Sequence, residues 1–387
     1  MTARIRVMTV FGTRPEAIKM APLVQALRRV PDEIEPIVCV TAQHREMLDQ
    51  VLEIFAIEPD YDLNVMQPRQ SLVNITTRVL AGMDGVLADA RPDIVLVHGD
   101  TTTTFVAALA AFYRQIKVGH VEAGLRTWNK YAPFPEELNR QLTGVLADLH
   151  FAPTAWAAEN LRRENKPEAT IFVTGNTVID ALHTTVRENW HHPVMARLGG
   201  RDLVLVTAHR RENLGEPMRR MFRAIRRLVD AHPEIAVVYP VHLNPAVREA
   251  AQAVLAGHPR IHLIEPLDVL DFHNLLARAR LVLTDSGGVQ EEAPAFGVPV
   301  LVMRETTERP EGVEAGTLKL VGTDEERIFQ TAHHLLTDAA AYAAMAKAAN
   351  PFGDGRASER IVAAILYAFG RRSTPPAPFV PAQKVTA

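Results

Sequence analysis

One cysteine, Cys39, stands among 387 residues, so no intrachain disulfide can form. Within the apolar run Ile37-Val38-Cys39-Val40 it reads as a buried structural thiol rather than a nucleophile. No Cys/His spacing suits zinc, and no metal is expected. No apolar run approaches the roughly 20 residues that cross a bilayer. The chain enters the β-branched run Ile5 to Val10 without a signal-peptide pattern. The expected location is therefore the cytoplasm, with no membrane partner. Neither sign of charge dominates: 42 Lys and Arg face 45 Asp and Glu, a net -3. That leaves no basic field for nucleic acid, and cations must act locally. No G-x-G-x-x-G follows the first strand and no Walker A loop occurs, which argues against NAD and against NTP hydrolysis.

What is present is an alternation. Hydrophobic residues make up 47% and charged residues 22%, the profile of a globular enzyme, and the length suggests two α/β cores rather than one. Strand candidates run Ile5 to Val10, Ile34 to Val40, Asp93 to Val97, Lys117 to Val121, His150 to Ala152 and Thr170 to Val173. A second series follows at Leu203 to Val206, Ala236 to Pro240, Ile261 to Ile264, Leu281 to Thr284 and Val298 to Val302. Helical periods separate most of them, the pattern of parallel sheets covered on both faces. Splitting the series near Gly175 gives domains at 1–175 and 176–356. The expected class is α/β, with two doubly wound Rossmann-like domains facing across a cleft lined by the carboxyl ends of the strands. A last helix at about 357–370 is expected to pack back near the first domain. The Pro-rich 373–387 reads as a flexible tail.

Polar clusters sit at the strand ends. After the first strand comes Gly12-Thr13-Arg14-Pro15-Glu16, with Lys19 a turn later. Thr13 and Glu16 form a capping box and Pro15 suits the first turn. Gly12 allows close approach, and Arg14 and Lys19 at a helix N-terminus favour a phosphate. Next is His98-Gly99-Asp100-Thr101, where Asp100 is either a helix cap or a cleft acid or base. Then come Glu122-Ala123-Gly124-Leu125-Arg126-Thr127 and Pro135-Glu136-Glu137-Leu138-Asn139-Arg140. One of the paired glutamates is expected at the surface, favoured by the helix dipole, and the other in the cleft. His209-Arg210-Arg211-Glu212 opens the second domain. Adjacent cations would keep His209 neutral unless a carboxylate or phosphate compensates. Asp285-Ser286-Gly287-Gly288 is a strand-turn-helix whose backbone N–H groups suit a diphosphate, with Glu292 placed for ribose hydroxyls. Arg304 and Thr307-Glu308-Arg309-Pro310-Glu311 add phosphate-binding groups.

Taken in order from about Val7 to Phe369, these clusters resemble the bacterial non-hydrolysing UDP-N-acetylglucosamine 2-epimerases. The resemblance implies a glycosyltransferase-B-like fold, a homodimer, no cofactor, and supply of a cell-surface polysaccharide precursor. It places catalytic roles on Asp100, Glu122, Glu136 and His209. It places UDP contacts on Arg14, Lys19, Phe272, Ser286, Gly287, Gly288, Glu292 and Arg309. Leu267 stands where some members carry Gln, which removes a side-chain contact to uracil. A second, activating substrate site in bacterial members falls on Gln43, Arg69, Gln70, Arg210 and His242. Glu46 stands there in place of Gln, and its carboxylate would repel a diphosphate unless paired.

The implied chemistry converts UDP-N-acetylglucosamine to UDP-N-acetylmannosamine. No carbonyl adjoins C2 of a pyranoside, so its proton is not acidic. Breaking the C1–O bond to UDP acidifies it, giving 2-acetamidoglucal, and UDP re-adds after C2 is protonated on the opposite face. Such a route needs phosphate stabilisation and carboxylates on both faces, with crowding expected to raise at least one of their pKa values. A hydrolysing 2-epimerase releasing ManNAc and UDP, or a UDP-sugar transferase of the same fold, would use similar groups.

Overall fold

The computed structural model describes residues 3–43, 45–67 and 70–382. The described chain forms two compact units, one of residues 3–184 with 352–380 and one of residues 185–351. The first holds seven strands: β1 (Ile5–Phe11), β2 (Ile34–Val40), β3 (Tyr61–Asp62), β4 (Ile94–His98), β5 (Lys117–Val121), β6 (Leu149–Ala152) and β7 (Ile171–Val173). They lie in the order β3-β2-β1-β4-β5-β6-β7, every pair parallel. The second holds β8 (Asp202–Thr207), β9 (Ile235–Pro240), β10 (Ile261–Ile264), β11 (Ala279–Thr284), β12 (Val300–Val302) and β13 (Leu318–Leu320). Their order is β10-β9-β8-β11-β12-β13, again all parallel. Both are Rossmann-like, with the strand order reversing beside β1 and beside β8, where such sheets place their ligands. No helix among the described residues is long and apolar enough to cross a membrane.

Parallel strands are covered on both faces, so they read as continuous apolar runs. Met8 and Val10 of β1 pack with Val95 and Val97 of β4 and with Val79 and Met83 of the helix Leu72–Ala90. In the second unit Phe222, Ile225 and Val229 of the helix Glu216–Ala231 cover Val237 and Tyr239 of β9 and Leu283 of β11. Tyr239 is fully buried, and its hydroxyl donates to the Ala208 carbonyl at 2.7 Å. That bond fixes the chain where β8 hands over to His209. The short β3 and β13 lie outside the strand candidates.

Two boundaries differ from expectation. The first unit continues past Gly175 to Thr184 and regains the chain at Phe352. Asp180, on the helix Thr177–Thr185, accepts from the Ala357 and Ser358 N–H groups at 3.1 and 2.7 Å. It thus satisfies the N-terminus of the last helix, Ala357–Ala368, which packs on the helix Arg14–Arg28. The Pro-rich segment is also not a loose tail as far as it is described. Phe379 is 4% exposed and its N–H donates to the Val173 carbonyl at 2.8 Å, on the outer strand β7. The Arg360 guanidinium lies 5.6 Å from its ring centre. An unpaired sheet edge and one large apolar ring are enough to hold a segment whose composition reads as disordered. Residues 383–387 of that segment lie outside the described residues.

Replacing Phe379 by Ala is expected to cost on the order of 3 kcal/mol, the usual effect of removing a buried phenyl ring. The unfolding transition of the first unit should move to lower urea, read by circular dichroism, and an unchanged transition would show the ring to be idle.

Candidate active site

The first unit gathers its carboxylates where β1, β4 and β5 end. Glu122, just past β5, is 8% exposed and takes a φ of 62°, a left-handed conformation that non-glycine residues seldom adopt. Its Oε2 accepts from the Lys19 ammonium and, at 3.0 Å, from Asn176 Nδ2. His98 Nε2, at the end of β4, lies 3.7 Å from the same oxygen. Lys19, expected at a phosphate, is buried against Glu122, where a carboxylate withdrawn from water needs a cation beside it.

A cavity of about 430 Å³ opens onto this group, lined by Glu122, Lys19, His98, Asp100, Glu136 and Asn139, with Gln43 among the remaining lining residues. Asp100 takes the Arg140 guanidinium on its carboxylate, and Asn139 Nδ2 donates to its carbonyl at 2.9 Å. It is not the helix cap. Thr101 fills that role, its hydroxyl accepting from the Thr104 N–H at 3.1 Å. Of the paired glutamates, neither is a surface dipole residue. Glu137 is fully buried and accepts from the Thr127 and Trp128 N–H groups at 3.0 and 3.1 Å, tying down the loop after Gly124. Glu136 is the one on the cavity.

Burial raises the carboxyl of Glu16, which is 2% exposed, because desolvation outweighs the hydrogen bonds that oppose it. It accepts from the Gly12 and Thr13 N–H groups at 3.0 and 2.8 Å and from the Thr101 hydroxyl at 2.7 Å. The capping box thus joins two strand-end loops. Gly12 is required there, since a Cβ would lie 1.9 Å from Thr41 Oγ1.

In the second unit His209 follows β8 and is held through its backbone. Asp285, 0% exposed after β11, accepts from the His209 N–H at 3.0 Å, the Arg210 N–H at 3.0 Å and Asn213 Nδ2 at 3.1 Å. Its Oδ1 also stands 3.4 Å from His209 Nδ1. The His209 imidazole stacks on His242 with ring centres 5.5 Å apart. Burial lowers the pKa of His209, and Asp285 pulls the other way. The neutral state expected from neighbouring cations thus arises first from desolvation.

Ser286-Gly287-Gly288 opens the short helix Gly287–Glu292. A Cβ on Gly287 would meet the Arg309 guanidinium at 2.9 Å, so glycine lets that cation close over the turn. Arg309 is held by Glu291 at 2.8 Å, and Arg304 by Glu308 at 2.9 Å. Burial would raise the Glu308 carboxyl, but the Arg304 guanidinium holds it at about 2. Glu292 lies 3.6 Å from His273, whose neighbour Phe272 is on the helix Val269–Ala277. Arg14 opens the helix Arg14–Arg28 in the first unit, half-buried.

Of the residues placed at a second substrate site, Gln43 and Gln70 meet in the first unit, Gln70 Nε2 donating to the Gln43 carbonyl at 3.2 Å. Arg210 and His242 belong to the second, and Arg69 lies outside the described residues. Three partners stand in the motifs without an expected role, His98, Arg140 and Asp285, and a fourth, Asn176, stands in none of them. Arg140, one helical turn after Glu136, carried the clearest signal. Nothing local links Asn176 to Glu122. No group of three or more metal-ligating side chains that could hold an ion occurs among the described residues.

Two Rossmann-like units, one with a carboxylate-lined cavity and the other with an arginine-closed Ser-Gly-Gly turn, define a nucleotide-sugar enzyme of the glycosyltransferase-B-like class. A glycotransferase of kitacinnamycin, 13% identical with a TM-score of 0.56 over 89% of this chain and 93% of its own, shares the fold alone. The chain belongs to the UDP-N-acetylglucosamine 2-epimerase family, whose sequence model matches residues 25–366, and is thus an isomerase. It is 64% identical to the UDP-N-acetylglucosamine 2-epimerase of Bacillus subtilis over 97% of this chain and 99% of that one. It is 50% identical, with a TM-score of 0.87 over 94% of this chain and 100% of the other, to the Neisseria meningitidis UDP-GlcNAc 2-epimerase solved bound to UDP-GlcNAc.

Three buried imidazoles on β4, β5 and β6 give the first unit a pH dependence. Burial lowers His98, His120 and His150 from 6.5 to about 4, 3 and 4. Unfolded, they protonate near 6.5, so between that value and about 4 the unfolded chain holds more protons. Their contribution to stability is complete above pH 6.5 and lost as pH falls through that window. Near pH 5 the loss should approach about 4 kcal/mol per pH unit for three groups. Urea midpoints between pH 7 and pH 5 test this, and a flat profile would contradict it.

Proposed function

We propose that the chain interconverts UDP-N-acetylglucosamine and UDP-N-acetylmannosamine without hydrolysis, by eliminating UDP and adding it back. The observation that carries the reading is the convergence of Asp100, Glu122 and Glu136 on one cavity beside Lys19. A carboxylate takes the C2 proton while the C1–O electron pair leaves with UDP, and a C1=C2 double bond forms. A second carboxylate then delivers a proton to the other face of C2, and a diphosphate oxygen re-attacks C1. Two proton-exchanging groups on one sugar need two carboxylates, and the cavity offers three.

The second unit supplies the other requirement. The Ser286-Gly287-Gly288 turn, Arg309 and His209 present N–H donors and positive charge to the departing diphosphate. Glu292 and Phe272 serve the nucleoside, and Arg14 adds charge. Lys19 acts here through Glu122, keeping it ionised as a base. The resident groups suffice for this route without a nicotinamide or a metal.

In D2O, deuterium should enter C2 of the product while UDP stays attached, as followed by NMR. Product that keeps the substrate hydrogen removes the elimination route. Free ManNAc and UDP accumulating together would convert the reading to a hydrolysing enzyme, and a requirement for an acceptor would convert it to a transferase. Glu122→Gln should lower turnover by about 1,000-fold, the scale of a lost acid–base group, and leave UDP affinity unchanged. Near-normal turnover would remove Glu122 from the set.

The homodimer has a surface to use. Leu138, Leu142 and Val145 lie at helical spacing on Glu136–Leu146 and are 39%, 36% and 71% exposed. Phe112 and Tyr113, at the end of the adjoining helix Thr102–Tyr113, are 56% and 66% exposed. A contiguous apolar face of this kind is a partner surface rather than a solvent face. The double substitution Leu142→Arg and Val145→Asp should give a monomer in sedimentation velocity, and an unaltered dimer would place the interface elsewhere.

A further inference from the structure

His98 belongs to no established role, yet it has the properties of a ligand contact. It is 4% exposed and lines the cavity with Asp100, Glu122 and Glu136. Its Nε2 has no hydrogen-bond partner among the described residues. Leaving a buried polar nitrogen unsatisfied is unfavourable, and native structures seldom do so without a ligand or water to complete it. Glu122 Oε2, 3.7 Å away, already receives Lys19 and Asn176, so the nitrogen faces an acceptor that two stronger donors occupy.

The location identifies the missing partner. A base that takes the C2 proton has its oxygen about 3 Å from that carbon. A nitrogen 3.7 Å from a carboxylate oxygen of that base stands beside the substituents of C2, and the one polar substituent on C2 is the acetamido group. Burial keeps the imidazole neutral down to about pH 4. It is thus a constant hydrogen-bonding partner and not an acid that changes state during turnover.

Resting on the 2-epimerase reading above, we propose that His98 Nε2 hydrogen-bonds the 2-acetamido group of the sugar and makes this site selective for 2-acetamido over 2-hydroxy nucleotide sugars. An amide presents an N–H and a carbonyl, and either suits one tautomer of a neutral imidazole. A 2-hydroxyl in place of the acetamido group is shorter, so it leaves the nitrogen unfilled. A site built to hydrogen-bond a substrate group discriminates against analogues lacking it, because its own buried group is left unpaired.

The test compares binding of UDP-GlcNAc, UDP-glucose and UDP to the wild-type enzyme, His98→Ala and His98→Gln by titration calorimetry. In His98→Ala, affinity for UDP-GlcNAc should fall by about tenfold, the scale of one lost hydrogen bond to a buried group. UDP and UDP-glucose should bind as before, so the selectivity ratio shrinks by the same factor. His98→Gln, whose amide nitrogen reaches near the position of Nε2, should restore part of the ratio. Unchanged UDP affinity also serves as the control for folding. An equal loss for all three ligands, or an unchanged UDP-GlcNAc to UDP-glucose ratio, overturns the assignment. Wild-type enzyme that binds UDP but not UDP-GlcNAc would instead overturn the 2-epimerase reading itself, and the assignment with it.

Discussion

Burying a carboxylate creates a problem that the rest of the first unit is arranged to answer. Withdrawn from water without a partner, a carboxylate is costly to keep ionised. The Lys19 ammonium, brought by the helix after β1, and the Asn176 amide, brought by the turn after β7, both converge on Oε2. Removing one partner of such a buried pair leaves the other uncompensated, at a cost of about 3–5 kcal/mol. Because β1, β4 and β5 are adjacent in the sheet, the segments that follow them bring Lys19, His98 and Glu122 to one point.

The same device recurs with other residues. Glu16 draws together the loops after β1 and β4 through backbone N–H groups and threonine hydroxyls. Asp285 does so for the loops after β11 and β8, accepting from the His209 and Arg210 N–H groups. A carboxylate saturated by N–H donors acts as a structural clasp. It immobilises the main chain that carries the neighbouring imidazole and guanidinium, the condition for a preorganised site. The Ala208 carbonyl, held by the Tyr239 hydroxyl from the other side, completes that restraint.

Much of this was legible in the sequence, and the reasons are physical. Parallel strands buried on both faces betray themselves as apolar runs, so β5 and β10 fell on their expected bounds. β3, of two residues, is too short for any period, whereas β13, Leu318–Leu320, is as long as β7 and β12 but has the exposed Lys319 at its centre, which breaks the apolar run. Motif order singled out Asp100, Glu122, Glu136 and His209, and the first three line one cavity. It could not say that Glu137 rather than Glu136 is the clasp. That depends on which side of a helix meets the Thr127 N–H. Nor could it pair Lys19 with Glu122 across 103 positions. The Pro-rich segment misled because composition reports the lack of a core, whereas a single ring on a sheet edge needs none.

Saturation by donors therefore separates the acidic residues of this enzyme better than proximity to a motif does. Glu16, Glu137 and Asp285 each accept at least two backbone N–H groups and are buried at 2% exposure or less. Charge moved onto or off such a group would break the loops it joins. Asp100 and Glu122 are held instead by side chains, Arg140 in one case and Lys19 with Asn176 in the other. Side-chain partners can follow a change in protonation by small rotations, whereas backbone donors cannot move without carrying a strand end with them. A carboxylate that is to gain and lose a proton, as proposed for Asp100 and Glu122, is better gripped by lysine, arginine and amide side chains than by the main chain, and the two sets of acids here differ in that respect.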